Sequence, residues 1–386
     1  MKLLVISPDY VSHARPMLEV AREWQRGMGE VVFATGVATR PLVIEAGIAW
    51  QELRLGKGSN AGIIDASAQP PGEDEHLRAF FAATRAGPFA TLRYQAEARR
   101  HDLLHEPDRV LDRIAEILHA NRPDRVVVDH VAFGARLALH ALGVRAATMV
   151  LGHPSALPAA GEIYGLPPHW PASLRPTDAE IAILHAACER SVAELQTVAR
   201  ELLARRATAR QSLGDLTTEP GYPTIYVYPA SLHEPERALP TLHAFIGHLV
   251  RDESLGEVSL PSGVGPRVTV ALGSFLGARD DVLATAVRAE HDATFRLALA
   301  HGSTAVERLG PLPLGALVAH QFAGAAAIER TGLGVVLAPN GLTAGALAAA
   351  VATVLRDGSP TRARALAASL ADAGAARPTW ATTRIA

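Results

Sequence analysis

Residues 3–16 read Leu3-Leu4-Val5-Ile6-Ser7-Pro8-Asp9-Tyr10-Val11-Ser12-His13-Ala14-Arg15-Pro16. The apolar run 3–7 is too short for the hydrophobic core of a signal peptide and reads as a buried strand. Pro16 suits the first turn of a following amphipathic helix to Arg26, where its missing N–H is not needed. The turn between them holds no glycine. A dinucleotide-binding fold would place G-x-G-x-x-G there, so that the backbone can approach a pyrophosphate. A nicotinamide or flavin dehydrogenase is therefore argued against. What the turn offers instead is His13, at the carboxyl end of a strand.

Outward from this stretch the rhythm repeats. Residues 30–35 read as strand, 39–46 as helix closed by Gly47, and 48–55 as strand, a βαβαβ pattern that implies a parallel sheet with ligands at the carboxyl ends of its strands. Residues 56–75 break the rhythm with Gly, Ser, Asn, Pro and acidic residues, and 76–105 read as one helical insertion mixing aromatics with arginines. Helix 107–120, strand 125–129, helix 133–142 closed by Gly143, strand 146–151, helix 177–208 and strand 224–228 follow. Residues 251–266, rich in Ser, Gly, Glu and Pro, read as a linker. Beyond it come strand 268–272, helix 280–290, strand 295–300, helix 322–330, strand 334–338, an Ala-rich helix 344–355 and a last helix near 360–372. No repeat of solenoid period is present.

Two α/β domains also follow from size, because single cores stop growing at roughly 250 to 300 residues and the chain has 386. The expected divisions are 1–250, the linker 251–266, a second domain 267–358, and a terminal segment 359–386 whose helix crosses back to the first. Hydrophobic residues at 48% against 20% charged give a globular balance. A net charge of −2 provides no basic field, so nucleic acid is not an expected partner. Cys188 is the single cysteine; it can form neither an internal disulfide nor a thiolate metal site, and the cytoplasm is the expected address. The apolar stretch 344–355 is too short to span a bilayer.

Asp129 ends the strand Val126-Val127-Val128-Asp129, and so reaches the same sheet edge as His13. A carboxylate behind a histidine orients the ring, selects its tautomer and stabilises its conjugate acid, which a general base acting on a hydroxyl requires. The rival reading of Asp129 is a cap for the next helix. His130, His140 and His153 show no pairing at metal-ligand spacing, and no metal is assigned.

Several motifs in order resemble the family 1 glycosyltransferases that decorate bacterial natural products. They are Ser12-His13-Ala14-Arg15-Pro16, the strand end at Asp129 with Phe133 four residues on, Gly143-Val144, the run from Val268 to Gly273-Ser274-Phe275, Gln321-Phe322-Ala323-Gly324, and Gly332-Leu333-Gly334. The resemblance implies a GT-B fold, two Rossmann-like domains facing across a cleft, the first binding an acceptor and the second a nucleoside-diphosphate sugar. It implies inverting, metal-free transfer with no cofactor beyond that co-substrate, and His13 as the base assisted by Asp129. Gly273 and Ser274 match the diphosphate turn, His320 the start of a diphosphate loop, and Gln321 a residue that binds sugar hydroxyls. An acceptor wall is expected from Tyr10, Phe80, Phe81, Phe133 and His153, with the insertion setting acceptor choice and leaving donor binding alone. The partners are then a hydrophobic small molecule and a nucleotide sugar; the oligomeric state, a homodimer included, stays open.

One departure stands out. Between Phe295 and Gln321 the chain has about two dozen residues, whereas one βαβ unit alone takes roughly 30. Either a segment of the gene product is missing from the chain as read, or the protein is a catalytically idle relative that binds or helps a partner. An epimerase or phosphorylase on the same fold is a weaker rival, because the second half contains no Lys.

Overall fold

The computed structural model describes residues 1–59, 72–159, 161–207, 214–218, 223–240, 242–247, 266–271, 279–291, 295–300 and 322–375. The first part comprises β1 (Lys2–Ile6), α1 (Val11–Gly27), β2 (Glu30–Thr35), α2 (Arg40–Glu45), β3 (Ala49–Glu52), α3 (Glu73–Ala86), α4 (Pro88–Asp102), α5 (Pro107–Asn121), β4 (Arg125–Asp129), α6 (Phe133–Ala141), β5 (Ala147–Val150), α7 (Asp178–Arg206), β6 (Thr224–Tyr226) and β7 (His243–Phe245). The second comprises β8 (Arg267–Ala271), α8 (Asp280–His291), β9 (Arg296–Ala300), α9 (Phe322–Arg330), α10 (Ala344–Arg356) and α11 (Ser359–Ala375).

The strands of the first part form one seven-stranded sheet in the order β3-β2-β1-β4-β5-β6-β7, and every neighbouring pair is parallel. Apolar residues on both faces of each strand explain this. Leu4, Ile6, Val126 and Val128 pack with α5, α6 and α7 on one side. Leu3, Val5, Val127 and Met149 pack on the other with α1, whose Trp24 is fully buried. Alternate side chains of a strand face opposite ways, so both layers need helices over them. The chain leaves β1 toward β2 and β3 on one side and returns to β4 on the other. The strand order therefore reverses between β1 and β4, and such a switch point opens a crevice at the carboxyl ends of the two strands.

The helical insertion departs from its expected form in two ways. It is two helices, because Gly87 at φ +121° ends α3 and Pro88 starts α4. It also does not stay with the first part. Phe81 is buried among Leu283, Ala286, Val287, Phe295 and Leu297, with Phe80 and Leu77 against the same cluster. Arg279, itself 2% exposed, donates to the Thr84 carbonyl at 3.3 Å, to Asn340 Oδ1 at 2.9 Å and to both carboxylate oxygens of Asp281. Asn340 also donates to the Thr84 carbonyl at 3.1 Å. A swap of the insertion should therefore disturb packing in the second part as well as acceptor choice. Phe81→Ala should cost about 3 to 5 kcal/mol as a core truncation. Urea unfolding would measure it, and a loss within about 0.5 kcal/mol, the range of surface substitutions, would contradict this docking.

In the second part β8 pairs parallel with β9. The strand expected over 334–338 is not found: those residues have no regular structure, and Val336 O accepts a bond from the Ser173 hydroxyl of the first part. β7 was not foreseen. The last helix packs on α10, and Arg362 donates to the Gly332 carbonyl at 2.7 Å. Among the described residues no helix is long and apolar enough to cross a membrane.

Candidate active site

His13 lies in the first turn of α1, which begins at Val11, five residues before the proline that sequence reading took as its start. The backbone N–H groups of His13 and Ala14 both donate to the Tyr10 carbonyl, at 2.9 and 2.8 Å. Pro16 then falls inside the helix and takes one bond from its ladder. Asp9 holds the preceding loop. Its carboxylate accepts from the N–H groups of Ala38 and Thr39 and from the Thr39 hydroxyl. That loop is tied to the sheet, so the His13 Cα has little freedom.

Asp129 ends β4 and is completely buried. Its Oδ2 lies 2.8 Å from His13 Nδ1, and its Oδ1 accepts the Val131 N–H at 2.9 Å. The helix-cap reading does not hold, since α6 has Ala132 at its N-cap with no side-chain cap bond; one Asp129 oxygen braces the turn before α6 and the other meets the histidine. The strand-order reversal makes this meeting possible, since β1 and β4 are neighbours whose carboxyl ends share one crevice.

Asp129 is an acceptor when ionised, so His13 Nδ1 carries the hydrogen and Nε2 keeps its lone pair. Burial alone would raise the Asp129 pKa. The His13 and His130 rings overcome it and hold the carboxyl far below the usual range. For His13, burial pulls the pKa down, but the charge and hydrogen bond of Asp129 outweigh it and the net shift is upward from 6.5. The His13 side chain keeps 22% of its surface exposed. A base with one face open and its conjugate acid stabilised can accept a proton from a bound hydroxyl.

The expected acceptor wall is only partly in place. The Tyr10 ring stands edge-on to His13 with centroids 6.1 Å apart. Phe133 is a correction: it is 1% exposed, packed in the sheet core and closed over by Tyr164 at a centroid distance of 5.3 Å. Phe81 is in the core of the second part, with Phe80 against it, for the reason given above. His153 is buried as well. Its Nδ1 accepts the Ser155 N–H at 3.1 Å, which leaves the hydrogen on Nε2, 3.2 Å from Glu234 Oε2. Hydrophobic residues after a sheet edge have two destinations, a pocket wall or the core beneath it, and periodicity does not separate them. Gly273, Ser274, His320 and Gln321 lie outside the described residues.

His130, which sequence reading named only to set aside as a metal ligand, also reaches the dyad. Its backbone N–H donates to the Met149 carbonyl at 3.0 Å, its Nδ1 is 3.2 Å from Asp129 Oδ1, and its ring centroid is 5.9 Å from that of His13. The signal was its place next to Asp129. Metal-ligand spacing along the chain could not show it, because His13 is 116 positions from Asp129.

The His153–Glu234 pair ties the loop after β5 to the loop after β6. Arg330 of α9 approaches Glu234 at 3.9 Å and donates to the Leu232 carbonyl at 2.8 Å. Burial pushes the Glu234 pKa up, but His153 outweighs it and brings it from 4.5 to about 2. A folded pKa below the unfolded one gives stability that is complete above 4.5 and lost as pH falls toward 2. Glu234→Gln should therefore flatten the acid side of the stability curve measured by urea melts between pH 7 and 3. Parallel curves for variant and parent would contradict the pairing.

No protein-family model matches the chain, and no curated protein matches its sequence. Solved structures do. The glycotransferase of kitacinnamycin is 17% identical with a TM-score of 0.63, over 97% of this chain and 95% of that one. The calicheamicin glycosyltransferase CalG4 is 17% identical with a TM-score of 0.64, over 97% and 94%. The spinosyn rhamnosyltransferase SpnG, solved with spinosyn aglycone, is 17% identical with a TM-score of 0.60, over 99% and 98%; it was also solved with thymidine diphosphate. The chain has the GT-B fold of the bacterial natural-product glycosyltransferases.

Proposed function

We propose that the chain is an inverting glycosyltransferase that moves a sugar from a nucleoside-diphosphate donor to a hydroxyl of a hydrophobic small molecule. The observation that carries this reading is the His13 Nδ1 to Asp129 Oδ2 contact of 2.8 Å at the switch point of the parallel sheet. His13 Nε2 takes the acceptor proton, the acceptor oxygen bonds to the anomeric carbon, and the bond from that carbon to the diphosphate breaks with its electron pair. The proton ends on the imidazole, where Asp129 stabilises the cation. A single displacement inverts the anomeric centre. Tyr10 is the described aromatic residue from the acceptor wall that stands beside the base.

The donor belongs to the second part, with Gly273, Ser274 and His320 at its diphosphate and Gln321 at its sugar. The SpnG complexes with thymidine diphosphate and with aglycone support the two substrate classes by likeness of fold. The buried, single Cys188 suits a reducing compartment, and we place the reaction in the cytoplasm. Thymidine or uridine diphosphate should bind in the presence of chelator, since backbone N–H groups at the start of a helix hold a diphosphate without metal. Calorimetry tests this, and no heat with either nucleotide would count against the reading. The activity itself is tested by mass spectrometry of hydrophobic aglycones incubated with nucleotide sugars. Product carrying one added sugar is expected; unchanged aglycone across donors that do bind would overturn it.

A further inference from the structure

We propose that His13, Asp129 and His130 together form a binding site for a borderline divalent cation, with zinc as the ion whose chemistry they fit, and that zinc and sugar transfer exclude each other. The donor atoms are two imidazole nitrogens and a carboxylate, all within 4.8 Å of one another. The two nitrogens lie 2.8 and 3.2 Å from the Asp129 oxygens. For bonds of about 2.0 to 2.1 Å, tetrahedral geometry sets neighbouring donors roughly 3.3 Å apart, so the cluster closes on an ion by contracting from its 4.8 Å span toward that spacing.

A second observation points the same way. His130 is 7% exposed, and its buried Nδ1 faces Asp129 Oδ1 at 3.2 Å in a contact not aligned as a full hydrogen bond, so the carboxylate stands between two imidazole nitrogens. The surrounding backbone is already arranged to hold the donors: the Val131 N–H fixes Asp129 Oδ1, and the His130 N–H is bonded to Met149. Such outer contacts orient metal ligands. Three protein ligands leave a fourth position open, and the partly exposed His13 side chain lies on the access side. Two imidazoles with one carboxylate suit zinc, whereas magnesium prefers oxygen donors and should bind poorly.

Exclusion follows from the ring. With zinc on His13 Nδ1, the neutral imidazole carries its hydrogen on Nε2 and has no lone pair there for an acceptor proton. Only this exclusion rests on the proposed function; binding of the ion does not.

The test is competition for zinc against a chromophoric chelator, with the full chain and with His130→Gln, His13→Gln and Asp129→Asn, each checked for folding by circular dichroism. One zinc per chain is expected, with affinity lowered at least about 100-fold in each variant, beyond the 10- to 100-fold usual for an outer contact, and a magnesium titration showing no comparable binding. Cobalt should give visible absorption in the parent that the His130→Gln variant lacks, a readout that a purely structural role would not move. Zinc binding equal in parent and all three variants, or absent from the parent, would overturn the site. Zinc bound in the parent without slowing transfer would overturn the exclusion. Absence of transfer under every condition would reject the proposed function while the chelator titration still reports on the site.

Discussion

His13→Ala should reduce sugar-transfer turnover by about 10² to 10⁴, the usual contribution of a positioned general base. The size follows from what the geometry supplies. Asp9 and the Tyr10 carbonyl hold the start of α1 in place, and Asp129 selects the tautomer with its lone pair on Nε2. Alanine removes the proton acceptor and leaves the rest of the turn. Donor affinity should change little, because the proposed donor residues belong to the second part, so the loss should appear in kcat. The comparison is steady-state transfer by parent and variant at equal, verified folding. A variant with unchanged kcat would remove His13 from the chemistry.

Asp129→Asn is expected to lower turnover and to move the acid limb of the pH profile. In the parent, Asp129 outweighs burial and raises the His13 pKa above 6.5. The base form of His13 therefore predominates only above that raised value, and turnover falls as pH drops through it. Asparagine keeps the shape but removes the charge. Burial then acts alone and pulls the His13 pKa down, so the acid limb should move to lower pH while the plateau falls, because the imidazolium formed in the reaction is no longer stabilised. The same linkage governs stability. The raised His13 pKa contributes stability below its unfolded value, and that contribution is lost as pH rises through the folded value. A limb that stays in place would show that Asp129 does not set the charge of His13. A limb that moves upward would contradict the electrostatic account altogether.

The alternation of short apolar runs with helical stretches made the parallel sheet of the first part legible, as buried strands of a doubly wound sheet carry apolar residues on both faces. The dyad was legible for the same reason. A polar residue that ends a buried strand, such as Asp129, has one destination, the crevice at the sheet edge. What the sequence hid was of two kinds. Phe133 and Phe81 look like pocket residues by type and place, but an aromatic ring lowers its free energy in a core as readily as against a ligand, and local pattern does not say which neighbour arrives. α3 is the clearest case: its partner cluster around Leu283 and Phe295 lies some two hundred positions away, and only three-dimensional packing brings them together. β7 is three residues long and half-buried, too short for any periodicity to show. His130 stands next to Asp129, yet its relation to His13 depends on the pairing of β1 with β4.

The central claim is that His13 and Asp129 act as one unit in sugar transfer, and a double-mutant cycle tests it most directly. Turnover would be measured for the parent, His13→Ala, Asp129→Asn and the double variant, with circular dichroism confirming the fold of each. Groups that act together do not lose independently. The double variant should match His13→Ala, because with the imidazole gone the carboxylate has nothing left to orient or stabilise. Losses that multiply across the two substitutions would contradict the account.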